Sequence, residues 1–190
     1  MPNKDKIVID IETKNTFADV GGQEFIHKLE ASLICIYSYN QDKYFSFREE
    51  EFDKLAPILQ NANMIVGFSI NRFDLPVMAK YFNFNLMALS RLDLLEEVEM
   101  AYGNRVGLDI LAQTNLGIGK THHGLDAIRF YQEGNWADLE AYCLQDVKVT
   151  KELYEFVKKN SFVQIPRRYS GELVKVSINL KEISMPATLF

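Results

Sequence analysis

The sequence predicts an α/β protein, built as one mixed sheet with helices on both faces, and three observations carry that prediction. A β-branched run near the start, Lys6 to Glu12, has apolar residues at successive positions, as in a central strand covered on both sides. Two further strand-like runs are separated only by Asn40-Gln41-Asp42, a connection that suits a hairpin and makes those strands antiparallel neighbours. From residue 49 onward apolar residues recur at helical spacing, first alternating with a strand and then alone.

Taken in order, the first strand ends in acids, and Thr13 to Glu30, with Gly21-Gly22 and no clear period, reads as a working loop that carries at most a short helical turn. Ser32 to Tyr39 and Lys43 to Phe47 form the hairpin strands, and Glu49 to Gln60 is an amphipathic helix. Asn63 to Phe68 is a second buried strand. Phe73 to Phe82 follows as a helix with Pro76 in its first turn. Helices are then predicted over Leu92 to Tyr102, Leu108 to Asn115, Leu125 to Gln132 and Trp136 to Lys158, the last capped by Asn135. The tail has strand-like stretches around Gly171 to Leu180. The expected organisation is one domain over residues 1–160 and a C-terminal extension, 161–190, packed on it.

The 190 residues include 47% hydrophobic and 12% aromatic side chains, with only 10 Gly and 5 Pro, which excludes a disordered or low-complexity chain. No window approaches a membrane span and no cleavage pattern follows the first residues, so a cytoplasmic protein without membrane contact is expected. Cys35 and Cys143 lie in apolar runs and read as buried, reduced side chains. The net charge of −5 argues against coating duplex nucleic acid through a broad basic surface, and leaves room for a narrow site for one strand end. Charge is uneven: residues 161–190 carry +2 and the body −7, so the body holds an excess of carboxylates.

Three places draw attention to those carboxylates. Asp10 and Glu12 lie two apart on a strand, so both side chains leave one face, about 6 to 7 Å apart along it, where they can bracket a cation. They stand at the carboxyl end of an apolar strand, where α/β sheets place ligands. Asp74 follows the next central strand at the start of a helix, where the helix dipole alone would also favour an acid. Tyr142 and Asp146 are four apart, on one face of the long helix, and that face is otherwise apolar. A metal ion or a hydrogen bond to Arg or Tyr would each satisfy Asp146 there.

Asp10-x-Glu12, Asp74 after Asn71-x-Phe73, and Tyr142-x-x-x-Asp146, in this order with acid-to-acid spacings of 62 and 72, resemble the three motifs of the DEDD superfamily of 3′→5′ exonucleases. Tyrosine in the third motif is similar to the DEDDy branch, which includes the proofreading domains of family A and B DNA polymerases and ribonuclease D; the histidine branch would want His where Ala141 stands. The resemblance covers roughly residues 6–158 and is nearest to ribonuclease H-like exonuclease domains of the family B proofreading type. It implies a mixed five-stranded sheet whose first three strands are antiparallel. It also implies two divalent ions, Mg²⁺ or Mn²⁺, held by Asp10, Glu12, Asp74 and Asp146, with Tyr142 orienting water. Thr13, Ser69, Asn71 and Phe73 would contact substrate, and Ser69 stands where the second motif usually has Asn. The implied reaction releases nucleoside 5′-monophosphates from the 3′ end of single-stranded DNA or RNA, with a polymerase, helicase or other DNA repair protein as the partner class. Ribonuclease D-like RNA trimming and a non-catalytic nucleic-acid or protein-binding module are the rival readings on the same fold.

Other signals are weaker. Gly119-Lys120-Thr121 resembles the end of a phosphate loop, but Thr114 stands where that loop needs Gly. His122 and His123 lack a third ligand for zinc. Phe17, Phe68 and Phe73 are stacking candidates that compete with core packing, and Arg167 and Arg168 read as a solvated pair. Asp93 reads as a partner of the second motif or as a helix cap. Met185 to Phe190 is an apolar end that could dock on a partner.

Overall fold

The computed structural model describes residues 4–119 and 124–180. The Gly119-Lys120-Thr121 stretch beyond its glycine, the pair His122 and His123, and the segment Met185 to Phe190 therefore lie outside the described residues.

Strand β1 (Asp5–Thr13) lies at the centre of a five-stranded sheet, flanked by β2 (Ala31–Ser38) and then β3 (Lys43–Arg48) on one side and by β4 (Ala62–Gly67) and then β5 (Arg91–Asp93) on the other. The first three strands are antiparallel, and β4 and β5 run parallel to β1, which is the mixed sheet the sequence predicts. Between β1 and β2, Thr16 caps the short helix α1 (Phe17–Val20), and a 3₁₀ turn covers Gln23–Lys28. The β2–β3 connection is the expected tight turn, with Asp42 at φ 48° and its carboxylate accepting from the Tyr37 hydroxyl.

Alternation along β1 sorts its side chains between two cores. Ile7, Ile9 and Ile11 pack with α2 (Phe52–Asn61) and α3 (Asp74–Met78) on one face. Val8 packs on the other face with α4 (Leu94–Tyr102), α5 (Leu108–Leu116), α6 (Gly124–Gln132) and the long α7 (Trp136–Asn160). Lys6, Asp10 and Glu12 share Val8's parity, so they are directed toward α7.

Three predicted elements differ. The helix expected over Glu49 to Gln60 begins at Phe52, after a 3₁₀ turn over Glu49–Glu51. The helix expected over Leu92 to Tyr102 begins only at Leu94, because Arg91 to Asp93 pair with β4 and the Asp93 side chain caps the helix. A three-residue strand is too short to show a period. The helix expected over Phe73 to Phe82 stops at Met78, passes through one 3₁₀ turn over Ala79–Tyr81, and ends where Phe82 turns extended. There Tyr81 and Phe82 both pack against Phe52, an aromatic contact that competes with helix continuation.

After α7, β6 (Phe162–Pro166) and β7 (Leu173–Ser177) form an antiparallel hairpin. Val163, Ile165, Val176 and Ile178 are buried in the same core as α7, and Asn115 on α5 exchanges two hydrogen bonds with the Gln164 backbone. Cys35 and Cys143 are buried and free, as expected.

Candidate active site

The site is assembled where three elements converge at the carboxyl ends of β1 and β4. β1 brings Asp10, half-buried, and Glu12, 8% exposed. Asp10 is paired in register with Cys35 of β2, and the Cys143 Sγ from α7 packs 3.6 Å from its carbonyl oxygen and 3.7 Å from its Oδ2.

The β4–α3 loop brings Asp74, only 3% exposed. The parallel pairing of β1 with β4 ends at Val8, so the later N–H groups on that side of β1 need other acceptors. The Asp74 carboxylate supplies one: it accepts the Ile11 N–H, between Asp10 and Glu12, as well as its own. Gly67 makes the close approach of this loop feasible, since a Cβ there would lie 2.0 Å from Ile70 Cγ2 and 3.1 Å from the Ile9 carbonyl oxygen.

The third element is α7, capped by Asn135 accepting from the Asp138 N–H. Tyr142 and Asp146, one turn apart, face a cavity of about 390 Å³ that Asp10, Glu12 and Asp74 also line. Thr13, Ser69 and Phe73 line it as well. Asn71 does not, because its side-chain amide is turned away: its oxygen accepts from Arg91 Nε, and its nitrogen donates to Glu96 at 2.6 Å. Phe17 and Phe68 line the cavity, and Phe17 meets Phe73 edge to face at 5.9 Å.

The electrostatics are one-sided. Burial pushes the Asp10 and Glu12 carboxyls well above the usual carboxylate range, and the charges of Asp146 and Asp74 push them further. Asp74 is pushed up to about 8, first by burial and then by Asp93, against the lowering effect of its N–H bonds. The Tyr142 phenol is raised by burial and then by Asp146, Glu12 and Asp10, so it keeps its proton and acts as a donor. Four acids surround the cavity, and among the described residues no Lys, Arg or His lines it.

A divalent cation fits this donor set. Ligand atoms of Asp10, Glu12 and Cys143 lie within 4.8 Å of one another, and the added carboxylates make the surroundings oxygen-rich and negative, which favours hard cations such as Mg²⁺ and Mn²⁺. Sequence reasoning missed Asn15, Thr16, Leu125 and Ile128 on the cavity wall. Leu125, 71% exposed, lines the cavity from the start of α6, a position with no local signal. The Cys143 contact with Asp10 had no local signal.

Among the described residues, no helix is long and apolar enough to cross a membrane. No curated protein sequence matches the chain significantly. Among solved structures it is similar to the family B DNA polymerase from the hyperthermophilic archaeon Pyrobaculum calidifontis, with a TM-score of 0.62 and 15% identity, over 82% of this chain and 25% of that one. The chain thus spans about a quarter of that polymerase's length. A family model of the RNase H superfamily, RNase_H_2, matches residues 7–158, a stretch that holds the sheet except for the first two residues of β1, and every acid of the cavity. The chain belongs to the RNase H superfamily.

Proposed function

We propose that this protein is a metal-dependent 3′→5′ exonuclease acting on single-stranded DNA or RNA and releasing nucleoside 5′-monophosphates. One observation carries the reading: Asp10, Glu12, Asp74 and Asp146 converge with Tyr142 on a single cavity lined by no basic side chain among the described residues. Such a site repels a phosphodiester until cations reverse its sign. Asp10, Glu12 and Asp146 would hold one divalent ion, and Asp10 and Asp74 a second, with Asp10 shared. Two such ions supply water activation and charge stabilisation at both the attacking and the leaving oxygen.

The remaining work falls to the protein's own groups. Tyr142 keeps its proton, so its Oη can donate to the attacking water and orient it without acting as a base. Phe17, Phe68 and Phe73 offer faces against which terminal bases can stack without sequence preference. Thr13 and Ser69 lie where they can contact the sugar and phosphate of that nucleotide, while Asn71 would act from behind the loop, since its amide is engaged by Arg91 and Glu96.

A time course with 5′-labelled single-stranded DNA and RNA, in Mn²⁺, in Mg²⁺ and in chelator, with the Asp146→Ala protein alongside, tests this reading. A ladder that shortens from the 3′ end only with metal, and only in the unaltered protein, is expected, and the preferred strand names the substrate. Oligonucleotide binding without cleavage under every condition would replace it with the non-catalytic module.

A further inference from the structure

Three acids of the described chain are more than nine-tenths buried, and Asp93 is the one that does not line the cavity. It ends β5, opposite Gly67 at the end of β4. Its two carboxylate oxygens accept four backbone N–H groups. Leu95, at 3.0 Å, and Glu96, at 3.4 Å, are the first-turn donors of α4, and bonding them is what a helix cap does. The other two donors are Ser69, at 2.8 Å, and Asn71, at 3.0 Å, more than twenty residues earlier in the β4–α3 loop. Capping α4 requires neither.

That loop contributes Phe68, Ser69, Phe73 and Asp74 to the cavity. Ser69 is in the left-handed region at φ 68°, a conformation that costs a non-glycine residue about 1 kcal/mol and persists only where neighbours impose it. The neighbours here belong to β5 and α4: Asp93 holds the loop backbone, Glu96 holds the Asn71 amide, and Glu99 pairs with Arg72 at 2.7 Å. Of these three, Asp93 is the one that grips the loop backbone, on both sides of Ile70. We propose that Asp93 is a positioning residue for this site: its carboxylate pins the β4–α3 loop so that Asp74, Ser69 and Phe73 face the cavity, and thereby sets cation affinity and turnover. The link to turnover rests on the nuclease reading above; the pin itself does not.

Asp93→Ser and Asp93→Asn in the full chain separate the pin from the cap. Serine caps a helix as well as aspartate, so Leu95 and Glu96 keep an acceptor, but one short hydroxyl does not also span to Ser69 and Asn71. Asparagine keeps the shape and replaces one accepting oxygen with a donor, so it forfeits one loop bond. Amide hydrogen exchange should rise about tenfold at Ser69 and Asn71 in the serine variant, with Leu95 and Glu96 changed less than about threefold. Mn²⁺ affinity, followed by electron paramagnetic resonance titration, should weaken about tenfold, and kcat should fall about tenfold with KM for the oligonucleotide nearly constant. The asparagine variant should fall between serine and the unaltered protein on each measure. Unchanged exchange at Ser69 and Asn71, or unchanged Mn²⁺ affinity and kcat in both variants, would overturn the proposal and leave Asp93 a helix cap. Failure of the nuclease reading looks different: the unaltered chain would neither take up Mn²⁺ nor cleave, which overturns the link to turnover while amide exchange still decides the pin.

Discussion

The two ends of β1 meet the same helix with opposite electrostatics. At the start of the strand, the Lys6 ammonium donates to the Tyr154 hydroxyl at 2.5 Å and lies 5.0 and 5.7 Å from the ring centres of Tyr154 and Tyr39. Nearby, Lys151 pairs with Glu155 at 2.9 Å and lies over Tyr37, and Asp5 accepts from the Ser38 hydroxyl and the Asn40 N–H. Every charge there meets an opposite charge, a donor or an aromatic face. Four residues further along the same face, about 13 Å away, Asp10 begins the acid cluster, where burial first and neighbouring acids second raise the Asp10 and Glu12 pKa values with no cation among the described lining residues. One end of the strand spends its polar groups on holding α7 in place. The other gathers carboxyls that are costly to ionise without a counter-charge, and a bound cation would supply one.

Breaking each end in turn should therefore have opposite consequences. Asp10→Ala is expected to lower turnover at least about a thousandfold, roughly 4 kcal/mol in the barrier, while the metal-free melting temperature stays level or rises because repulsion is relieved. Cleavage assays beside circular dichroism melts check both halves, and unchanged turnover would refute the site. Tyr154→Ala should do the reverse. Tyr154 is among the largest fully buried side chains, and its loss should cost about 3–5 kcal/mol in denaturant unfolding while turnover per folded molecule holds.

The same contrast predicts a pH dependence. Asp74 has a pKa of about 8 in the folded protein against an unfolded reference of about 3.9. Below both values the group is protonated in either state and contributes nothing. Between about 4 and 8 the unfolded chain ionises while the folded one retains its proton, so metal-free stability should fall as pH rises and level off above about 8. Asp10 and Glu12 act in the same direction. Asp74→Asn should remove this residue's share and stabilise the metal-free protein at neutral pH by about 1–3 kcal/mol, and Mn²⁺ should stabilise the unaltered protein more than the variant. Melts across pH 4 to 9, with and without Mn²⁺, decide it; a variant that is less stable than the parent at pH 8 would contradict the sign.

What the sequence made legible follows the same division between local and long-range determinants. β1, the hairpin and α7 were readable because their patterns are long and their ends are marked by turn or cap residues such as Asn135. The acids were readable by type and order. The partner that each side chain meets was not, because that depends on register between distant elements. Nothing near Asn71 says that its amide turns to Arg91 and Glu96, and nothing near Asp74 says that its carboxylate takes the Ile11 N–H where β4 has ended. β5 escaped notice for a related reason: its three residues are a strand only because β4 lies beside them.

The weakest response of all is expected at Lys6. Lys6→Met keeps the length and apolar stem of the side chain at the paired end of β1 and removes its charge. The substitution gives up one hydrogen bond to Tyr154 and two ring contacts, worth about 1–2 kcal/mol together, and it also removes the cost of holding an ammonium half-buried. An isosteric apolar replacement of a partnered buried charge is often close to neutral, so a change within about 1 kcal/mol is expected, with no response to Mn²⁺. Asp74→Asn removes an ionisable carboxyl from the acid end, and its effect should grow with pH and differ with Mn²⁺. If urea melts of both variants showed the same pH and Mn²⁺ behaviour, the two ends of β1 would be electrostatically alike and the acid end would have no claim to being a cation site. If they differ as argued, the distinction between charge that is paired within the fold and charge held for a ligand is measurable without any assay of cleavage.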